Sequence, residues 1–292
     1  MDKISNKRIC LYTCGIIITP LVIWQLFLTI RSLYELYAGV PIVFSIQKYP
    51  NTTRRIYPIP PVCHQMWKTN DLSTYPIAPS HETWKKMYPT WTVKLWTDKD
   101  ISKLVYENYP SLWATYTSYS YQIQRADLAR LIILHSEGGI YVDLDVFPNR
   151  LSLDALRKND FVIPVSSTEL SLINHFIMSE RQSPILNYML ENVSKYNSYI
   201  IIPYLNVFWT GSIFLTKMIR DYISLKKDTN GLAILSSKQV KYYIKHFPGR
   251  SWHSLDGYIL NKIESNRKFS GVVTLLIMLC MLYVYKIIKR HR

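Results

Sequence analysis

The chain has 292 residues, is 48% hydrophobic and carries a formal charge of +15 at pH 7, enough for one α/β domain of roughly 200–250 residues plus anchoring segments. Six of those net charges lie in the terminal segments 1–8 and 286–292; the rest are scattered without a Lys/Arg block, so nucleic acid is not an expected partner. Cys10, Cys14, Cys63 and Cys280 offer neither a disulfide framework nor zinc-ligand spacing.

In chain order, a basic tail (1–8) leads into an apolar run, Ile9 to Ile30, uncharged until Arg31. Its length is about the 20 residues that cross a bilayer and exceeds the apolar core of a signal peptide. Residues 9–30 are therefore expected to be a transmembrane anchor. Residues 31–58, with Pro41, Pro50 and Pro58, read as a stem. A second uncharged run at 269–285 precedes the basic tail 286–292 and is expected to span the membrane as well. By the positive-inside rule both tails face the cytosol and the middle faces a lumen. The sequons at Asn51 and Asn192 suit that placement.

Residues 59–262 form the domain between them. Val62 to Trp67 reads as a buried strand, 80–88 as a helix, and Thr92 to Trp96 as a strand. A helix at 99–108 stops before Tyr109-Pro110. Gln122 to Glu137 is the clearest helix, apolar on more than one face and therefore buried, with Gly138-Gly139 as its stop signal. Ile140-Tyr141-Val142 is a short strand, 161–165 another, 184–193 a helix, and 200–216 a mixed segment around Gly211. Helices alternating with short apolar strands predict an α/β domain with a mostly parallel sheet.

Two carboxylates stand out where a strand ends, Asp143 and Asp145 in Asp-Leu-Asp. Oxygen donors of this kind suit a hard divalent cation, Mn²⁺ or Mg²⁺, which neutralises the charge of a diphosphate leaving group. Upstream, Asp127 and Arg130 lie at i and i+3, on one face of the same helix. From Ile123 to His135 that helix carries charge only at Arg125, Asp127 and Arg130. Charges on a buried helix need partners, and sugar hydroxyls are suitable ones.

Four blocks of this sequence resemble the DXD-containing glycosyltransferases of family 32, the initiation-specific mannosyltransferase type, and more distantly the clostridial glucosylating toxins. They are Ile59 to Thr69 (IPPVCHQMWKT), Tyr88 to Asp98 with its LWTD ending, Arg125 to Asp145 (RADLAR…GGIYVDLD), and Gly249 to His253 (GRSWH). Ile202 to Leu215 is similar to the ceramide-directed subgroup, the fungal catalytic subunits of mannosyl-inositol-phosphoceramide synthase. Pro61, Cys63 and Arg250 depart from the family pattern, and none of the departures removes a carboxylate.

The resemblance implies a GT-A fold (Rossmann-like) and retaining transfer of a sugar, with mannose from GDP-mannose moving to inositol phosphoceramide at the Golgi membrane. Asp143 and Asp145 would hold the metal and diphosphate, with His253 as candidate third metal ligand. Asp127 and Arg130 would hold the donor sugar, and Arg125, Tyr141, Ser251 and Trp252 would also line the donor site. Trp67 reads equally as a core residue or as a stacking surface for the base. His64 is expected to be structural, and His246 and Asp256 are weaker candidates. A regulatory membrane subunit is a further expected partner. The alternatives are another nucleotide-sugar donor, a glycan or protein acceptor, or a non-catalytic subunit of a transferase complex; the intact carboxylates argue against the last.

Overall fold

A computed structural model describes residues 57–167, 171–197, 203–226 and 230–247, together with helical positions between 20 and 34 (α1). The chain separates into two compact units, 1–201 with 205–249, and 202–204 with 250–292. The sheet and the carboxylate turn belong to the first. Among the described residues no helix is long and apolar enough to cross a membrane. Most of the run Ile9 to Ile30, most of the stem and all of 269–285 lie outside the described residues.

Six strands build one sheet in the order β2-β1-β3-β6-β5-β7. They are β1 Val62–Trp67, β2 Thr92–Thr97, β3 Gly139–Val142, β5 Phe161–Pro164, β6 Phe176–Ser179 and β7 Leu232–Leu235. β1 runs parallel to both β2 and β3, and β5 parallel to β7. Only β6 is antiparallel to its neighbours, β3 and β5. The domain is thus α/β with a mixed, mostly parallel sheet, as the alternation of elements predicts.

The sheet is buried on both faces, and side-chain alternation along the strands sorts residues between two apolar clusters. Tyr141, Ile177, Phe161, Ile163 and Ile234 face one cluster, built around α5 (Gln122–Glu137) and α8 (Phe214–Lys226). Ile140, Val142, Phe176, Met178 and Val162 face the other, with Cys63 and Trp84 of α2 (His81–Met87). Burial on both sides explains why β3, β5, β6 and β7 read as short continuous apolar runs.

The remaining helices include α3 (Asp98–Asn108) and α4 (Pro110–Ser118). Thr97 and Asp100 close a capping box at the start of α3, satisfying two backbone donors reciprocally. α3 stops where expected, but the chain re-enters a helix at once, with Pro110 in the first turn, a position where its missing N–H costs nothing. A separate two-stranded ribbon pairs β4 (Val146–Pro148) with β8 (Ile244–His246) antiparallel. β8 follows directly on α9 (Ser237–Tyr243).

The turn from α5 into β3 needs glycine twice. Gly138 and Gly139 have φ of 67° and 102°, a region costly for other residues. A Cβ on Gly139 would also stand 2.4 Å from the Val62 carbonyl oxygen.

His64 seals the same corner. Trp96 Nε1 donates to its Nδ1 at 3.1 Å, and its Nε2 lies 2.9 Å from the Gly138 carbonyl. Because indole N–H can only donate, the proton must sit on Nε2 and the ring is neutral. Burial pushes the His64 pKa down to about 4, from 6.5. The folded state resists a proton that the unfolded chain accepts, so this stabilisation is complete above pH 6.5 and declines as pH falls toward 4. The decline is expected to reach about 2 kcal/mol by pH 5. Thermal unfolding from pH 7 to 5 should show a shallower slope in His64→Asn than in the parent; equal slopes would remove His64 from the account.

Candidate active site

α5 is buried from Asp127 to Leu134, and its two paired charges lie inside the fold. Arg130 is 2% exposed and Asp127 6%. One guanidinium nitrogen of Arg130 stands 3.0 Å from Asp127 Oδ1. Another donates to the Asn174 carbonyl at 2.7 Å and lies 3.5 Å from Asp143 Oδ1, while Nε donates to the Ala126 carbonyl at 3.2 Å. The guanidinium also sits over the Tyr141 ring, 4.9 Å from its centroid. Burial opposes the charge on Arg130, but Tyr141, Asp143 and Asp127 outweigh it and raise the pKa. Burial pushes the Asp127 carboxyl up to about 7 despite Arg130.

Asn174, from the loop before β6, was invisible to sequence reasoning. Its Nδ2 donates to Asp127 Oδ1 at 2.7 Å. It is 47 residues from Asp127, and no local pattern marks it.

Asp143 and Asp145 occupy the turn between β3 and β4, closed by the Val146 N–H donating to the Asp143 carbonyl at 3.0 Å. Tyr141 donates its hydroxyl to Asp143 Oδ1 at 2.7 Å. Tyr141 is itself buried, so it holds a carboxylate from beneath. Oδ1 of Asp143 therefore faces Tyr141 and Arg130, while Oδ2 has no protein partner among the described residues. Burial and the neighbouring Asp145 raise the Asp143 pKa against the pull of Arg130. Two hard oxygen donors under mutual repulsion fit a divalent cation, which would relieve both the repulsion and the loss of hydration. Among the described residues no group of three or more His, Cys, Asp or Glu is arranged to hold a metal. His253, Ser251, Trp252 and Asp256 lie outside the described residues.

The backbone of this turn is fastened from several sides. The Asp143 N–H donates to the His175 carbonyl at 3.0 Å, and Ser80 N–H to the Leu144 carbonyl at 2.8 Å. Gln65 Nε2 donates to Ser80 Oγ at 2.8 Å, and His81 Nδ1 stands 2.8 Å from Gln65 Oε1. The pair Gln65–Ser80 thus ties β1 and the start of α2 to the carboxylate turn. His246, on β8, brings Nε2 to 3.5 Å from Asp145 Oδ2 and stacks on His175 at 4.2 Å. Burial, with His246 adding to it, pushes the His175 pKa down to about 3.

Trp67, at the end of β1, belongs to neither apolar cluster, so the core reading falls. It is half-buried, donates Nε1 to Thr74 Oγ1 at 2.7 Å and meets Tyr75 edge-on at 4.7 Å. Burial, then the field of Asp145 and Asp143, raises the Tyr75 hydroxyl above its ordinary range. Arg125 lies nearer the surface, donating to the Tyr119 carbonyl at 3.0 Å and to Gln122 Oε1 at 3.3 Å.

One more segment converges on Asp127. Between α7 (Pro203–Phe208) and α8, residues Trp209–Ile213 form a π-helical turn, a distortion found mostly where function requires it. It sets Gly211 against the carboxylate: a Cβ there would stand 3.0 Å from Asp127 Oδ2 and 3.4 Å from Asn174 Nδ2. Gly211→Ala is expected to displace Asp127 and lower kcat/KM by about ten- to a hundredfold, with little change in unfolding temperature. Unchanged kinetics would show that the carboxylate's placement is not limiting.

The carboxylate pair at the strand end and the buried Arg–Asp pair behind it both lie in a stretch that is similar to a known family. Residues 78–162 match the family described as a glycosyltransferase sugar-binding region containing the DXD motif. The chain carries a DXD glycosyltransferase domain. Inositol phosphoceramide mannosyltransferase 1 of Schizosaccharomyces pombe is 28% identical over 294 residues, 94% of this chain and 89% of that protein. The mannosyl phosphorylinositol ceramide synthase SUR1 of Saccharomyces cerevisiae is 31% identical over 229 residues, 74% of this chain. The chain spans 57% of the length of that second relative. This glycosyltransferase therefore has relatives named for mannosyl transfer to an inositol phosphoceramide.

Proposed function

We propose that this glycosyltransferase moves mannose from GDP-mannose to inositol phosphoceramide with retention, in a GT-A fold and with a divalent cation, Mn²⁺ or Mg²⁺. The observation that carries the reading is the likeness to relatives named for that lipid, together with a complete Asp127–Arg130–Asp143–Asp145 set. A bound cation would neutralise charge on the departing diphosphate. Asp143 and Asp145 would hold it, with Oδ2 of Asp143 available for the purpose. Tyr141 and Arg130 fix Asp143 from below, so the carboxylate needs no reorganisation during transfer.

Asp127 Oδ2, opposite Gly211, would accept from a hydroxyl of the donor sugar. Arg130 keeps Asp127 oriented and counters the negative charge beneath the diphosphate. Trp67 and Tyr75 would offer aromatic faces to the base and ribose. Among the described residues no buried carboxylate beyond this set stands as a covalent nucleophile, which favours front-side attack within the ion pair. The two terminal apolar runs support a Golgi membrane setting with the domain in the lumen, near a lipid acceptor.

The test is transfer by the full-length chain in detergent with Mn²⁺, a panel of GDP- and UDP-sugars, and inositol phosphoceramide. Mannose appearing on the lipid, dependent on metal, supports the reading. Turnover of a different donor, or transfer only to a glycan, sinks the lipid assignment and leaves the glycosyltransferase.

A further inference from the structure

The β4–β8 ribbon has two unlike faces. Ile244 is buried and His246 reaches Asp145 on one side. Strand alternation sends Lys245 to the other side, directly across from Phe147 in the register. Phe247 then stacks edge-on to Phe147 at 5.5 Å and is 54% exposed. Next to them the Leu151 N–H donates to the Tyr242 carbonyl at 3.0 Å. The side chains of Tyr242 and Leu151 are 58% and 47% exposed.

The charge along this surface has one sign. Segments 146–152 and 237–247 contain Arg150, Lys238, Lys241 and Lys245, all exposed, and no Asp or Glu. Large apolar side chains left in water are unfavourable unless something covers them. Aromatic rings and leucine among lysines match the boundary of a bilayer, where rings sit at headgroup depth and cations meet anionic lipid.

We propose that the outer face of the β4–β8 ribbon, with Tyr242 and Leu151, rests on a bilayer surface bearing anionic headgroups. The same ribbon then sets the height of the chemistry, because the Phe247 N–H donates to the Asp145 carbonyl at 2.9 Å. A surface contact at Phe247 is thus one hydrogen bond from the metal-binding turn. The inference rests on the membrane-substrate reading above and gives it a direction of approach.

The test uses the full-length chain with Cys10, Cys14 and Cys280 changed to Ser and a nitroxide on Tyr242→Cys; Cys63 is buried. Nanodiscs are made of zwitterionic lipid alone or with about a third anionic lipid. With anionic lipid, oxygen is expected to relax the label more than a water-soluble nickel chelate does. Lys241→Glu with Lys245→Glu, or high salt, should return the label to its aqueous pattern, with the unfolding temperature of the double variant unchanged. A label that stays aqueous in both lipids overturns the proposal. So does immersion indifferent to lipid charge and to the lysines, or a label shielded from both agents in detergent, which would mean a protein contact. Transfer measured in the same nanodiscs separates the two readings. An immersed label without transfer to inositol phosphoceramide removes only the acceptor; transfer with an aqueous label removes only the docking face.

Discussion

Asp143→Asn and Asp145→Asn are each expected to lower kcat/KM for sugar transfer by about 10³-fold, equivalent to roughly 4 kcal/mol of lost transition-state stabilisation. The substitution keeps shape. An Asn oxygen at 143 still accepts from the Tyr141 hydroxyl, which now reaches Asp143 Oδ1 at 2.7 Å, so the turn should persist. What disappears is one of two negative charges that would hold a cation. The measurement is single-turnover transfer at saturating Mn²⁺, with thermal unfolding in parallel to show that the fold survives. A loss smaller than tenfold in both variants would mean that this turn does not bear the metal and diphosphate. Because burial and Asp145 together raise the Asp143 pKa, either variant should also leave the unfolding temperature equal to or above that of the parent.

Arg130→Met is expected to be the most destabilising single change in the site. It would strand Asp127, 6% exposed, beside Asp143 without a counter-charge. Breaking a buried pair from one side costs about 3–5 kcal/mol, or on the order of 10 °C in unfolding temperature for a domain of this size. Adding Asp127→Asn should recover a large part of that stability, since the remaining Asp143 is about a third exposed and reaches water. Activity should stay low in both. Arg130→Lys would keep charge but not geometry: the guanidinium serves the Asn174 and Ala126 carbonyls and Asp127 at once, and an ammonium cannot match that planar fork. Equal unfolding temperatures for the single and double variants would show that the pair is not the electrostatic unit described here.

The contrast between these variants bears on how the site tolerates its own charge. Four ionised groups lie within one buried corner, and only one of them is a cation among the described residues. Burial, with Asp143 adding to it, pushes Asp127 up to about 7 against the pull of Arg130 and Asn174, so the site holds its negative charge against resistance. A bound cation would remove much of that resistance, which predicts that Mn²⁺ raises the unfolding temperature of the parent more than that of Asp145→Asn.

Much of this was legible in the residues themselves. The helix Gln122–Glu137 is apolar on more than one face and carries only three charges between Ile123 and His135, and a charge that cannot reach water must meet a partner; Asp127 and Arg130 followed from that. The Asp-Leu-Asp turn followed from a strand too short to continue past Val142, and Gly138-Gly139 from backbone angles that only glycine adopts readily. Period and turn chemistry are local properties, so they survive in one dimension. The ends of helices were equally readable at Asn108, where Pro110 follows.

Tertiary structure alone decided the rest, because those features join residues distant in sequence. Asn174 reaches Asp127 only after β6 is laid antiparallel beside β3, and nothing near Asn174 announces it. Gln65 and Ser80 meet the carboxylate turn because β1 and α2 converge there. Trp67 could have been core or surface on sequence grounds; its place at a strand end, outside both apolar clusters, is a matter of packing. The neutral tautomer of His64 depends on an indole N–H from a neighbouring strand. Gly211 matters only because a π-helical turn presses its Cα against a carboxylate. Sequence determined which residues carry charge, bend and burial, since these are intrinsic to side chain and backbone. The fold decided which of them touch, since contact energy exists only between groups that the chain has brought together.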